Sequence, residues 1–376
     1  MKIALFSNSY LPYLSGITIS VSTLKEELEQ LGHTAFVVGP QYPGYQEADP
    51  KVLRLPSLPA TYPGYRLVFP YSPTIFQYLK KEKIELIHVH QPFGVGMAAR
   101  LLAKRMNIPF VYSFHTLFSR YVHNVPFVPE KPAQILIVNY LKFFCNQADT
   151  IIVPSEMVRR LLVARKVKKP IEVIPTGLRL NQIKNRNQAA EVRNKFKIPN
   201  GAKLLLYSGR ISQEKNIPFL LQAFEKVRQA EPNTYLLMVG GGPKLSDYKK
   251  LAGQQVVFSG QLPRQEVLDC CFSADLFVYA SITETQGLVL TEAKACGLAV
   301  AALFGGGISD VIKNGIDGYI TSRNIDVFIE HILRLLRDDN LRKEMGAKAK
   351  EDAHNRFSSI SVAKRIESVY NRLICK

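Results

Sequence analysis

The chain has 376 residues, 47% of them apolar, which is enough for two hydrophobic cores rather than one. No run approaches the roughly 20 apolar residues of a spanning helix, and five scattered cysteines (Cys145, Cys270, Cys271, Cys296, Cys375) exclude a disulfide framework and a CxxC zinc site. A formal charge of +18 favours a polyanionic partner, either nucleic acid or an anionic membrane.

Residues 2–7 form an apolar, strand-like run directly after Met1, without the cleavage region of a signal peptide, which predicts a protein made and kept in the cytoplasm. A loop containing Ser15-Gly16-Ile17 leads to a helix over 20–31 and a strand over 34–39. Within 65–85, Ile75, Phe76 and Leu79 share one helical face, and Lys80, Lys81 and Lys83 follow. Apolar side chains beside lysines suit an anionic bilayer surface. Strands are expected at 84–90, which ends in His88-x-His90, and at 110–114, which runs into Ser113-Phe114-His115-Thr116. Alternation puts His88 and His90 on one face; the pair reads as structural, with His90 a weak functional candidate. Over 116–144, Phe118, Tyr121, Phe127, Ile135, Leu136, Ile137, Leu141, Phe143 and Phe144 occur with few acids, which fits a core helix and a lipid-facing one equally well. Strands at 150–153 and 171–174 end this series.

The polar segment 181–190 reads as the inter-domain region, and after Pro199-Asn-Gly201 the pattern restarts. Strands are expected at 203–207, 234–239, 256–259, 276–279 and 299–302, with a helix over 218–229 and a basic helix over 361–373. Apolar runs separated by amphipathic helices argue for buried parallel strands in βαβ units, hence an α/β protein with two doubly wound domains. Ligands of such sheets bind beyond the carboxyl ends of the strands.

Three loops there carry chemistry. Ser208-Gly209-Arg210-Ile-Ser-Gln-Glu214-Lys215 follows a strand; one Arg and one Lys suit a diphosphate whose charge grows as it leaves. Gly240-Gly241-Gly242-Pro243 is a turn at another strand end. In the third, Glu284 precedes Gly287 and Glu292 follows it, so two carboxylates flank a helix N-terminus, a natural anion site. Neither an HExxH nor a DxD-type metal motif is present, and no RRM, KH or zinc-finger signature points to specific nucleic acid binding. The basic charge is therefore assigned to a membrane surface.

The string Thr283-Glu284-Thr-Gln286-Gly287-Leu…Glu292-Ala-Lys294-Ala-Cys296-Gly297 resembles the Glu-x7-Glu signature of retaining GT-B glycosyltransferases of family 4, in the version found in bacterial 1,2-diacylglycerol 3-alpha-glucosyltransferases. Lys294 and Cys296 stand where Met and a small residue are commoner. The resemblance implies a GT-B fold, with two Rossmann-like domains facing a central cleft. Residues 1–176 would face acceptor and membrane, 177–354 would bind the nucleotide sugar, and 355–376 would form a helix crossing back. It assigns Gly209, Arg210 and Lys215 to the pyrophosphate, and the N–H groups around Gly287, Leu288 and Val289 to the distal phosphate. Glu292 would bind the ribose, and Glu284 a hydroxyl of the transferred hexose. His115 would bond the donor sugar or polarise the reacting centre. Gly16 would let backbone approach the ligand, with Ser15 replacing the first glycine of the pair many relatives carry. His115, Glu284, Arg210 and Lys215 form the implied catalytic set, with no metal.

The implied activity is transfer of glucose from UDP-glucose to 1,2-diacylglycerol, with retention, by an enzyme peripheral on the inner face of the cell membrane. A phosphatidylinositol or other glycolipid mannosyltransferase is the alternative within the family. A non-catalytic nucleotide-sugar-binding or membrane-tethering protein is the alternative of another class.

Overall fold

A parallel strand covered by helices on both faces must be apolar at every position, and Lys2–Phe6 is such a run: Ala4 and Phe6 enter one core cluster, Ile3 and Leu5 another. The structure, a computed structural model, describes residues 1–13, 15–59, 66–68, 73–118 and 129–375. The chain divides into two units, Met1–Gly177 with Ser359–Lys376, and Leu178–Ser358.

In the first unit the elements run β1 (Lys2–Phe6), α1 (Gly16–Gln30), β2 (Thr34–Pro40), β3 (Val52–Leu55), β4 (Ser57–Pro59), β5 (Arg66–Val68), α2 (Pro73–Lys81), β6 (Leu86–Val89), α3 (Val95–Met106), β7 (Phe110–Ser113), α4 (Glu130–Cys145), β8 (Thr150–Val153), α5 (Glu156–Ala164) and β9 (Ile171–Val173). Seven strands form a parallel sheet in the order β3-β2-β1-β6-β7-β8-β9, and β4 and β5 make a separate antiparallel ribbon. The second unit runs α6 (Ala189–Lys195), β10 (Lys203–Ser208), α7 (Ile217–Ala230), β11 (Thr234–Val239), α8 (Leu245–Leu251), β12 (Val256–Gly260), α9 (Arg264–Ser273), β13 (Leu276–Tyr279), α10 (Leu288–Ala295), β14 (Val300–Leu303), α11 (Ile308–Val311), β15 (Gly318–Thr321), α12 (Ile325–Arg337) and α13 (Asp339–Phe357). Its six strands are also all parallel, ordered β12-β11-β10-β13-β14-β15. The last helix, α14 (Ser359–Ile374), belongs to the first unit, where Val362, Ile366 and Tyr370 join the cluster that α1 covers.

Strand order reverses between β1 and β6 in one sheet and between β10 and β13 in the other. At such a switch point the loops leave in opposite directions and open a crevice at the carboxyl ends. The loops after these four strands carry Ser15 and Gly16, His90, Arg210 and Lys215, and Glu284.

Several expectations need correction. The first helix begins at Gly16 rather than at residue 20, because Ser15 caps it: the Ser15 Oγ accepts from the Thr18 N–H at 3.1 Å, a contact that stabilises a helix by about 1 kcal/mol. Segment 181–190 does not join the units. It lies inside the second, where Arg186 pairs with Asp269. The apolar face of α2 does not point outward either. Ile75 and Leu79 are core residues, and Phe76 packs against that core with the Arg105 guanidinium 4.4 Å from its ring centroid; what α2 and its C-terminal flank expose is polar, including Lys80, Lys81 and Lys83. Tyr65, Phe69, Pro70 and Ser72 of that stretch, and Tyr121 and Phe127 of the next, lie outside the described residues. In α4, Leu141 and Phe144 enter the core, whereas Ile135 (62%), Leu136 (67%) and Phe143 (47%) are exposed.

The departure at Lys294 has a structural reason. Its ammonium group, wholly buried on α10, donates to Asp317 Oδ2 at 2.8 Å, Asp352 Oδ2 at 2.7 Å and the Val311 carbonyl at 2.5 Å. All three donors are used, so the charge is both paired and hydrogen-bonded. Lys294→Met, which supplies the commoner residue, would leave buried Asp317 without its cation, while Asp352 keeps Lys313 and Arg356. It should cost about 3–5 kcal/mol, read as a lower denaturant midpoint; an unchanged midpoint would contradict this account.

Candidate functional site

In the second unit the site grows from the backbone. β10 ends at Ser208; Gly209 then takes φ +148, and the chain passes Arg210 into a short 3-10 turn, Gln213–Lys215, before α7. The glycine run after β11 braces this loop. The Gly209 N–H donates to the Val239 carbonyl at 3.0 Å, and the Ile211 N–H to the Gly241 carbonyl at 2.8 Å. A Cβ on Gly240 would run into the Gly209 carbonyl, and one on Gly242 into that of Ile211. The run Gly240–Gly242 therefore lets two backbones touch.

Glu284 follows β13. One of its oxygens, Oε1, accepts from the Lys215 ammonium, from Tyr279 Oη at 2.8 Å and from Ser281 Oγ at 2.8 Å. Both partners of the ion pair are only 14% exposed. Burial pushes the Glu284 carboxyl up, but the Lys215 charge and the three hydrogen bonds outweigh it and hold the group below the ordinary carboxylate range. Behind it, the Gly307 N–H donates to the Glu284 carbonyl at 2.7 Å, and Gly306, at φ +56, lies where a Cβ would strike that same carbonyl.

Gly287 adopts φ +86 and opens α10 without a side-chain cap. The first turn of that helix therefore presents backbone N–H groups with a positive dipole end. One turn on, Glu292 pairs with Arg264 at 2.7 Å. Burial pushes its carboxyl up and Arg264 only partly offsets this. Lys215 and Glu284 thus meet directly, and each carboxylate of the Glu-x7-Glu pair already has its own cation. Tyr279, Ser281 and the Gly305–Gly307 run are site residues that the sequence reading missed. A glycine triplet directly after a strand was the available signal for the last.

In the first unit Gly16 is the first residue of α1, and Ser9 Oγ lies 3.1 Å from Ser15 Oγ and 2.9 Å from Thr18 Oγ1. His115 stands two residues beyond β7 and its Nε2 lies 2.9 Å from His90 Nδ1. His88 is held at both nitrogens, by Tyr370 Oη at 2.6 Å and Ser113 Oγ at 2.7 Å. His90, Ser113 and His115 line a cavity of about 30 Å³ that α1 and α14 also border. Burial lowers His88 to about 3 and His115 to about 4, and holds His90 well below the usual value. Among the described residues no group of three or more His, Cys, Asp or Glu could hold a metal ion.

The arrangement in the second unit suits a phosphorylated, polyhydroxylated ligand: cations and helix-end N–H groups for phosphate, carboxylates for hydroxyls. Comparison with known proteins points the same way. Residues 14–182 match the model "Glycosyltransferase Family 4" and residues 188–352 the model "Glycosyl transferases group 1". The alpha-monoglucosyldiacylglycerol synthase of Streptococcus pneumoniae is 35% identical over 80% of this chain and 71% of its own. The enzyme of the same name from Acholeplasma laidlawii is 29% identical over 100% of this chain and 98% of its own. Among solved structures, Anabaena Alr3699/HepE in complex with UDP has the same fold, with a TM-score of 0.80, 18% identity and coverage of 99% of this chain and 100% of its own.

Depression of His88, His90 and His115 gives a pH dependence. Unfolded histidine titrates near 6.5, so below that pH the unfolded chain takes up protons that the buried rings refuse. Stability should fall as pH drops from about 6.5 toward 4 and be free of this effect above it. The raised Glu292 carboxyl acts in the opposite sense. His88→Gln should therefore flatten the slope of melting temperature against pH in this window; the wild-type slope in the variant would contradict the assignment.

Proposed function

The chain belongs to glycosyltransferase family 4, and on that premise we propose that it transfers glucose from UDP-glucose to 1,2-diacylglycerol, making an α-glucosyl-diacylglycerol at a membrane surface. The observation that carries this reading is the pairing of Lys215 with Glu284 beside the uncapped start of α10, in a chain that matches two alpha-monoglucosyldiacylglycerol synthases across both domains. On this reading Leu178–Ser358 is the donor domain and Met1–Gly177 the acceptor and membrane domain. Arg210 and Lys215 meet the diphosphate where Gly209 admits it, and the N–H groups at Gly287, Leu288 and Val289 meet its distal phosphate. Glu292 accepts from the ribose hydroxyls and Glu284 from a glucose hydroxyl. His115 contacts the glucose, and Gly16 allows backbone approach.

Retention follows a front-side course. The bond from the anomeric carbon to the phosphate oxygen breaks while the bond to the acceptor oxygen forms on the same face. The acceptor's proton passes to the departing phosphate oxygen. Arg210, Lys215 and the α10 N–H groups stabilise the charge that grows there. Lys215 starts in contact with Glu284, so its charge is shared between a carboxylate that orients the sugar and a phosphate that leaves it.

The lipid half of the reading is supported by α4 rather than α2. Exposed Ile135, Leu136 and Phe143 lie beside Lys131 and Lys142, and the Arg100 guanidinium sits 5.5 Å from the Phe143 ring centroid. Exposed Leu101, Lys104 and Arg105 of α3 extend the same chemistry. Apolar groups rimmed by cations bind anionic bilayers through both terms. No helix among the described residues is long and apolar enough to cross a membrane; the attachment we propose is peripheral, through these exposed side chains, on the cytoplasmic face.

Glu284→Gln should lower turnover by about 10²-fold while UDP affinity is kept or raised, because Lys215 loses its competing carboxylate; isothermal titration and UDP release read the two separately. Unchanged turnover would remove Glu284 from the reaction. Changing Ile135, Leu136 and Phe143 together to Ser should weaken sedimentation with anionic vesicles and leave UDP binding intact; equal sedimentation would take α4 out of the membrane surface.

A further inference from the structure

His88 and His90 project from the same side at the end of β6, with ring centroids 4.3 Å apart, yet their surroundings differ. Both nitrogens of His88 have partners. His90 is 2% exposed; its Nδ1 lies 2.9 Å from His115 Nε2, the two rings stack at 17°, and its Nε2 has no hydrogen-bond partner.

A neutral imidazole carries one N–H and one bare nitrogen. In a bond between two such rings one nitrogen must donate and the other accept, so the tautomers are locked together. If the His90 proton sat on Nε2, a buried N–H would lack an acceptor while Nδ1 only received. If it sits on Nδ1, it is used in the bond, and what stays unmatched is a lone pair. Orphaned buried N–H groups are the rarer case, and leaving a donor unsatisfied costs about 1–3 kcal/mol. Burial keeps all three rings neutral at physiological pH, so a protonated ring that donates from both nitrogens does not arise.

We propose that His90 is a positioning residue for His115: its Nδ1–H donates to His115 Nε2 and holds His115 in the tautomer whose proton sits on Nδ1. His115 then carries an N–H rather than a bare nitrogen at Nδ1, a donor and not a base. This rests on the reading above that His115 works on the transferred hexose, but the hydrogen bond itself does not.

The test uses the full chain labelled with 15N in its histidine rings, with His115→Gln identifying the His115 signals. The expected spectrum shows a protonated Nδ1 and a bare Nε2 at His115, and in His90→Leu a shift toward the opposite tautomer. A protonated Nε2 at His115 in the wild-type protein overturns the proposal, and this decides the matter even if His90→Leu fails to fold. In the folded variant kcat should fall roughly 10- to 100-fold, with the KM for UDP-glucose within about twofold. His90→Asn, whose amide nitrogen stands where Nδ1 stood, should recover most of the loss. Wild-type turnover in His90→Leu, set against a crippled His115→Ala, also overturns it. Full turnover in His115→Ala would instead remove His115 from the reaction, while the ring signals still decide the tautomer.

Discussion

A carboxylate and an ammonium group withdrawn from water are tolerated only while they hold each other and their other polar contacts are met. Lys215 and Glu284 satisfy that condition with Tyr279 and Ser281 as additional donors. Much of the second domain's local geometry serves to keep this contact in place. The order reversal between β10 and β13 sets their two loops beside one crevice. The glycines at 240–242 let one loop rest on backbone, and those at 305–307 do the same for the other. Side chains larger than hydrogen at Gly240, Gly242 or Gly306 would push the loops off their supports.

The electrostatics of the site follow from the same pair. Each carboxylate of the Glu-x7-Glu motif has its own cation, Lys215 for Glu284 and Arg264 for Glu292, but the balance differs. Glu284 is held ionised by its partners, whereas burial lifts Glu292 against the pull of Arg264. A bound nucleotide sugar would enter a site that is already nearly neutral. On the proposed reading its diphosphate brings negative charge beside Lys215, Arg210 and the start of α10.

The double winding was legible because every central strand is a short apolar run, and runs of that kind fit only a sheet covered on both faces. The loops with Arg210, Lys215, Glu284 and His115 were legible because they follow such runs and contain charge, glycine or histidine. What escaped depends on distance along the chain. Arg264 lies 28 residues before Glu292, and Asp317 and Asp352 lie 23 and 58 residues beyond Lys294; no local pattern announces these pairs. Tyr279 was hidden inside a strand that reads as buried. The outward reading of α2 failed for a different reason: a helix with Ile75 and Leu79 on one side has the same periodicity whether that side meets a protein core or a bilayer. In α4, by contrast, Ile135, Leu136 and Phe143 stay uncovered, on a stretch whose pattern alone left both possibilities open.

The measurement closest to the central claim is UDP release from a panel of UDP- and GDP-sugars, with and without diacylglycerol in anionic vesicles. The account predicts release from UDP-glucose that depends on diacylglycerol. Release that proceeds equally without the lipid, or only from another donor sugar, would contradict the proposed reaction.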